Sequence, residues 1–190
     1  MHLIRLFLAA ALIAAACLPA RAADDILDAI DQARKAYQAG DLSAAKQQLD
    51  TASQLIGQKN AESFTALLPE PLPGWKADKA QAQAVGTAIM GGASTATRSY
   101  HNGQGQNVEI SITGDSAMLM QFAALLANPM LAGAMGKLVK VGDQRAIQNH
   151  EGDVIVVVAN KFVVNVSGSA DAQSKLSYAQ GVNYAKLSKM

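Results

Sequence analysis

The 190-residue chain has one cysteine, one tryptophan and only 5% aromatic residues. The cysteine, Cys17, falls within a leader-like N-terminal stretch, so the mature chain is expected to have none. It then forms no disulfide and offers no thiolate nucleophile. Charge is sparse as well, at 16% of residues. Without Arg5 and Arg21, sixteen basic residues fall to fourteen against fifteen acidic ones, a net charge near −1. No basic patch with interleaved aromatics occurs, which argues against nucleic acid as a partner. There is no G-x-S-x-G, no phosphate-binding Gly loop opening a helix, and no H-E-x-x-H. Gly103 and Gly105 lie in a hairpin loop, the wrong context for a phosphate cradle. The expectation is a chain with no catalytic set, no cofactor and no metal, and with an aliphatic core.

The leader is what stands first. Met1, His2 and Arg5 form a short positive start, and Leu6 to Ala16 is an unbroken apolar run. That run is too short to span a hydrocarbon layer of about 30 Å. Pro19 and the small-x-small triplet Ala20-Arg21-Ala22 follow, as a signal peptidase requires. Residues 1–23 are read as a signal peptide, with a mature chain starting near Asp24 in the periplasm. The alternative is lipid anchoring at Cys17. Ala14-Ala15-Ala16 before it matches a lipoprotein signal only in the last two positions, and membrane association is expected only in that case. About 167 residues remain, enough for one domain with a core and a small appendage.

Residues 24–60 read as a helical hairpin. Asp24, Asp25 and Asp28 suit the positive end of a helix dipole. Ile26, Leu27, Ile30, Ala33 and Tyr37 recur at helical spacing. Gly40 ends this helix, and Asp41 or Ser43 caps the next. Ala45, Leu49, Ala52, Leu55 and Ile56 form its expected buried face, and Gly57 closes it. Ala33, Tyr37, Gly40, Leu42, Ala45, Leu49 and Ala52 together resemble one tetratricopeptide-type helix pair. A solenoid needs about three copies, so one copy implies a single αα-hairpin packing on the body or on a partner.

Residues 61–74 contain Pro69, Pro71 and Pro73 and read as a stiff linker. Trp75 is expected in the seam beneath it. From 75 to 190 the period changes to two. A strand is expected around Lys76 to Val85. Thr95 to Tyr100 and Asn107 to Thr113 then form a hairpin across His101–Gln106. Leu138 to Val141, Arg145 to Gln148, Val154 to Ala159 and Phe162 to Ser167 follow as strands, the last two joined by a tight Asn160-Lys161 turn. Ser169 or Asp171 caps a last helix reaching about Leu187. This order predicts an α+β fold, an antiparallel sheet with packed helices. With the entry Leu68-Pro69-x-x-Leu72-Pro73-Gly74-Trp75, residues 67–190 resemble the Mog1/PsbP-like arrangement. The resemblance implies a sheet between helices and a non-catalytic accessory or assembly role, and it carries over no site residues.

Between Asp115 and Lys137 there is no charged residue. Asn128-Pro129 divides this segment into two expected helices, about 116–127 and 129–135. It reads as a core helix, as a Met-rich wall for an apolar ligand, lipid or partner helix, or as a poor membrane insert. Met118, Met120, Phe122, Leu125, Met130 and Met135 would line the wall. His101, His150, Glu151 and Asp153 form a metal set only if the fold gathers them. The function expected is therefore an exported, non-catalytic binding or accessory protein. It would contact another envelope protein through Tyr37, Leu42 and the Met-rich lining. The alternatives are a carrier of a lipid or other apolar ligand on segment 116–136, and a metal-binding protein.

Overall fold

The computed structural model describes residues 24–85, 92–114 and 133–190. The leader, Cys17 and most of the apolar segment lie outside the described residues.

Helix α1 (Asp25–Gln38) and helix α2 (Leu42–Thr65) come first. Eight strands follow: β1 (Trp75–Ala77), β2 (Gln81–Val85), β3 (Ala93–Asn102), β4 (Asn107–Gly114), β5 (Lys137–Val141), β6 (Gln144–Gln148), β7 (Val154–Val158) and β8 (Phe162–Ser167). Helices α3 (Ala172–Gln180) and α4 (Tyr184–Leu187) close the chain. The strands form one sheet in the order β1-β3-β4-β8-β7-β6-β5, with β2 also on β3, and every pairing among the described residues is antiparallel. The fold is α+β, as the alternating periods predict.

Alternation decides which side is core. Tyr100, Val108, Ile110, Ile112, Val156, Val164 and Val166 share one face and are fully buried. Burying a Val or Ile side chain stabilises by about 1.5–3 kcal/mol. Phe64, Leu67 and Leu68 join this core from the α2 end, and Tyr178, Ala179, Val182 and Leu187 join it from α3 and beyond. The described helices thus share one face of the sheet. On the other face, Thr95, Thr97, Ser111, Asn165, Ile155 and Val163 are only partly buried. The aliphatic runs of β7 and β8 therefore have one deep face, not two.

Three local expectations change. The single strand expected over Lys76–Val85 is two pieces, because β1 pairs with Tyr100–Asn102 and β2 with Ala93–Thr97. Asp78 breaks it: its carbonyl accepts from Arg98 Nε at 3.0 Å. The last helix is likewise interrupted at Gly181, and Asn183 caps a separate α4 by accepting from Lys186 N. The β7–β8 turn sits one residue earlier than expected, with Ala159 and Asn160 both at φ 52.

The segment 61–74 is held closely by the body. Helix α2 continues to Thr65. The Tyr100 hydroxyl donates to the Pro69 carbonyl at 2.7 Å, and Arg98 Nη1 reaches the same oxygen at 3.3 Å. Leu72 N donates to the Tyr178 hydroxyl at 3.3 Å. Trp75 packs edge-on against Tyr178, ring centres 5.3 Å apart, which is the seam position expected of it. Burial pushes the Tyr100 and Tyr178 phenol pKa values upward.

Ser94 is the one buried side-chain polar group without a hydrogen-bond partner among the described residues. It lies under Gly57 of α2. An unsatisfied buried hydroxyl costs about 1–3 kcal/mol. Ser94→Ala is therefore expected to raise stability by about 1 kcal/mol. A higher urea midpoint at unchanged slope is the readout. A lower midpoint would show that the hydroxyl is satisfied.

Candidate functional site

The hairpin owes its shape to short polar caps and to alanine. Asp24 accepts from Ile26 N at 3.2 Å, and Asp41 accepts from Ala44 N at 2.9 Å, so each helix begins at a satisfied cap. Gly40, at φ 81, supplies the left-handed residue between them. Helix α1 packs on α2, and α2 in turn packs on β2, β3 and β4. The residues buried along the helix pair are Ala29, Ala33, Ala45 and Ala52. Small side chains let two helices approach closely. They also leave the large apolar residues outside the seam.

Those residues are strongly exposed: Leu27 60%, Ile30 42%, Tyr37 68%, Leu42 65%, Leu49 55% and Ile56 44%. At 100° per residue, each stripe stands roughly 50–90° around its helix from the buried alanines, in the same rotational sense. The helices are antiparallel, so both stripes come out on one side of the hairpin. Gly57 and Phe64 of α2 lie against the sheet. Lys46, Asp50 and Ser53, which are in line with Gly57 on the helix, are exposed. The first half of α2 and its α1 partner therefore project past the sheet.

Charge along this projecting piece is uneven. The open half carries Asp24, Asp25, Asp28 and Asp31, and the half near the turn carries Arg34, Lys35 and Lys46. Arg34–Asp31 at 3.0 Å and Lys46–Asp50 at 2.8 Å are exposed pairs within one helix. Such pairs stabilise by only about 0–1 kcal/mol. The hydrogen bond to Asp50 raises the Lys46 pKa.

Tyr37 and Leu42 stand together on the exposed face. Leu49 and Ile56, expected inside, stand there with them, because alanine occupies the seam. Met118, Met120, Phe122, Leu125 and Met130 lie outside the described residues, and Met135 is partly buried.

The metal set is not gathered. His101 is paired with Asp78 at 2.9 Å on β3. His150 sits in the turn before β7, and β4 and β8 lie between these strands, which are therefore about 14 Å apart. Asp153 is paired with Lys175 at 2.7 Å, and the Glu151 carbonyl accepts from the same ammonium at 2.8 Å. Among the described residues, no three His, Cys, Asp or Glu side chains come together as a cation site. Nor is any helix among them long and apolar enough to cross a membrane. No protein-family model, curated protein or solved structure matches this chain.

Proposed function

We propose that this chain is an exported, non-catalytic binding or accessory protein of the cell envelope, and that it holds a protein partner on the exposed face of its hairpin. The observation that supports this reading is the set of six large apolar side chains on one side of a projecting helix pair. Contiguous apolar surface of this kind marks interaction sites far more often than does a singly exposed leucine. The leader-like N-terminus supports the compartment.

The test is site-specific photo-crosslinking in the producing cell. A photoreactive residue at Tyr37 or Leu49 is expected to form a discrete protein adduct. The same residue at Gln32 or Gln47, exposed on the other side of the helices, is expected to form none. Equal labelling at all four positions, or none at any, would end this reading.

A further inference from the structure

We propose that the partner seated on the hairpin face is a second copy of this chain, giving a four-helix bundle about a two-fold axis; the inference rests on that face being a protein-binding surface.

The spacing of the stripes points to helices as the occupant. In α2, Leu42, Ala45, Leu49, Ala52 and Ile56 alternate at intervals of three and four residues. In α1, Leu27, Ile30, Arg34 and Tyr37 do the same. A repeat of seven residues keeps a seam facing another helix along its length, which is the signature of bundle packing. On α2 the alanine positions face α1, and the Leu and Ile positions face outward. The second half of the bundle is the missing layer.

The charges point to a copy of the same hairpin. A two-fold axis through the middle of the face reverses the second hairpin. Its basic turn half, with Arg34, Lys35 and Lys46, then lies against the acidic open half of the first, with Asp24, Asp25, Asp28 and Asp31. The same match forms twice, because a two-fold interface uses one patch on both copies. An anionic lipid surface has no such match, since the open half is acidic.

The footprint sets the strength. Two helices about 20 Å long and together about 20 Å wide offer on the order of 400 Å² from each copy. That lies below the 1,200–2,000 Å² total typical of tight complexes, so the dimer is expected to be weak, with Kd of roughly 10–100 µM.

Sedimentation of the mature chain from about 1 to about 300 µM reads this directly. A monomer–dimer equilibrium is expected. Leu49→Glu, at an exposed position, should weaken association by roughly tenfold or more while leaving the circular dichroism unchanged. Arg34→Glu/Lys46→Glu makes both halves acidic, and Asp28→Lys/Asp31→Lys makes both basic. Each double variant alone should be monomeric, and an equimolar mixture should dimerise. Increasing salt should weaken the native dimer. A monomer at every concentration, a dimer untouched by Leu49→Glu, or a mixture that stays monomeric would each overturn the proposal. If the chain is monomeric and the hairpin positions still crosslink a different protein, the second copy is ruled out and the broader reading stands. If neither dimer nor adduct forms, both are ruled out.

Discussion

Replacing Lys175 with methionine is expected to lower stability by about 3 kcal/mol, measured as a fall in the urea midpoint. Lys175 is buried at 2% exposure on α3. Its ammonium donates to Asp153 Oδ1 at 2.7 Å and to the Glu151 carbonyl at 2.8 Å. Methionine fills the same channel but leaves a largely buried carboxylate and a carbonyl without their donor. The loss comes from that uncompensated charge, because a buried pair itself contributes little net stability. The double variant Lys175→Met/Asp153→Asn tests the cause. It removes the charge that the single variant strands, and should recover at least about 1 kcal/mol. If the double variant is as unstable as the sum of the singles, the two groups are not coupled and the explanation fails.

That pair also shows where reading from sequence ends. The turn at residues 149–153 is legible, and Asp153 is visible as a charge beside His150 and Glu151. What the charge does depends on a lysine 22 positions later, and no local pattern reports that. The sheet is legible because period-two alternation in β3, β4, β7 and β8 is a local signal. The break at Asp78 is not, because it comes from Arg98 and Ser99 on the neighbouring strand. The clamp on Pro69 and Leu72 is hidden for the same reason. Three prolines read as a linker, and only the fold brings Tyr100 and Tyr178 to their carbonyl and amide.

The hairpin differs from its sequence reading in another way. Its helices, caps and turn are all local and all legible. Periodicity also finds its apolar side, but each helix carries two adjoining stripes, one of alanines and one of large residues. Hydrophobicity favours burying the larger stripe. The structure buries Ala29, Ala33, Ala45 and Ala52 instead. Tyr37 and Leu42 read as surface candidates, while Leu49 and Ile56 read as core. Which stripe faces inward depends on how closely the helices approach, and that distance is a tertiary property. The proposed bundle resolves the conflict, since burial of both stripes is then satisfied once two copies meet.

Gly168→Ala is expected to lower stability by about 3–4 kcal/mol, the largest effect of any glycine substitution that leaves the hairpin untouched. Gly168 ends β8 at φ 129, a conformation that alanine rarely adopts. A Cβ there would also overlap the Asn107 carbonyl oxygen. The carbonyl cannot simply move, because it accepts from Ala170 N at 3.0 Å. The Asn107 side chain accepts from Ser169 N at 3.0 Å and from Ser169 Oγ at 2.7 Å, while Asn107 N donates to Ser169 Oγ at 3.0 Å. This knot joins the start of β4 to the approach to α3, which carries Lys175 and Tyr178 into the core. Two comparisons separate the causes. Gly103→Ala, with open space around its Cβ, should change stability by less than about 0.5 kcal/mol. Asn107→Ala removes the side-chain bonds without backbone strain and should cost about 1–2 kcal/mol. If Gly168→Ala costs no more than Asn107→Ala, the strain is relieved elsewhere and the hydrogen bonds alone hold β4 to the approach to α3. If it costs about twice as much, backbone conformation at a single residue is what fixes α3 over the sheet.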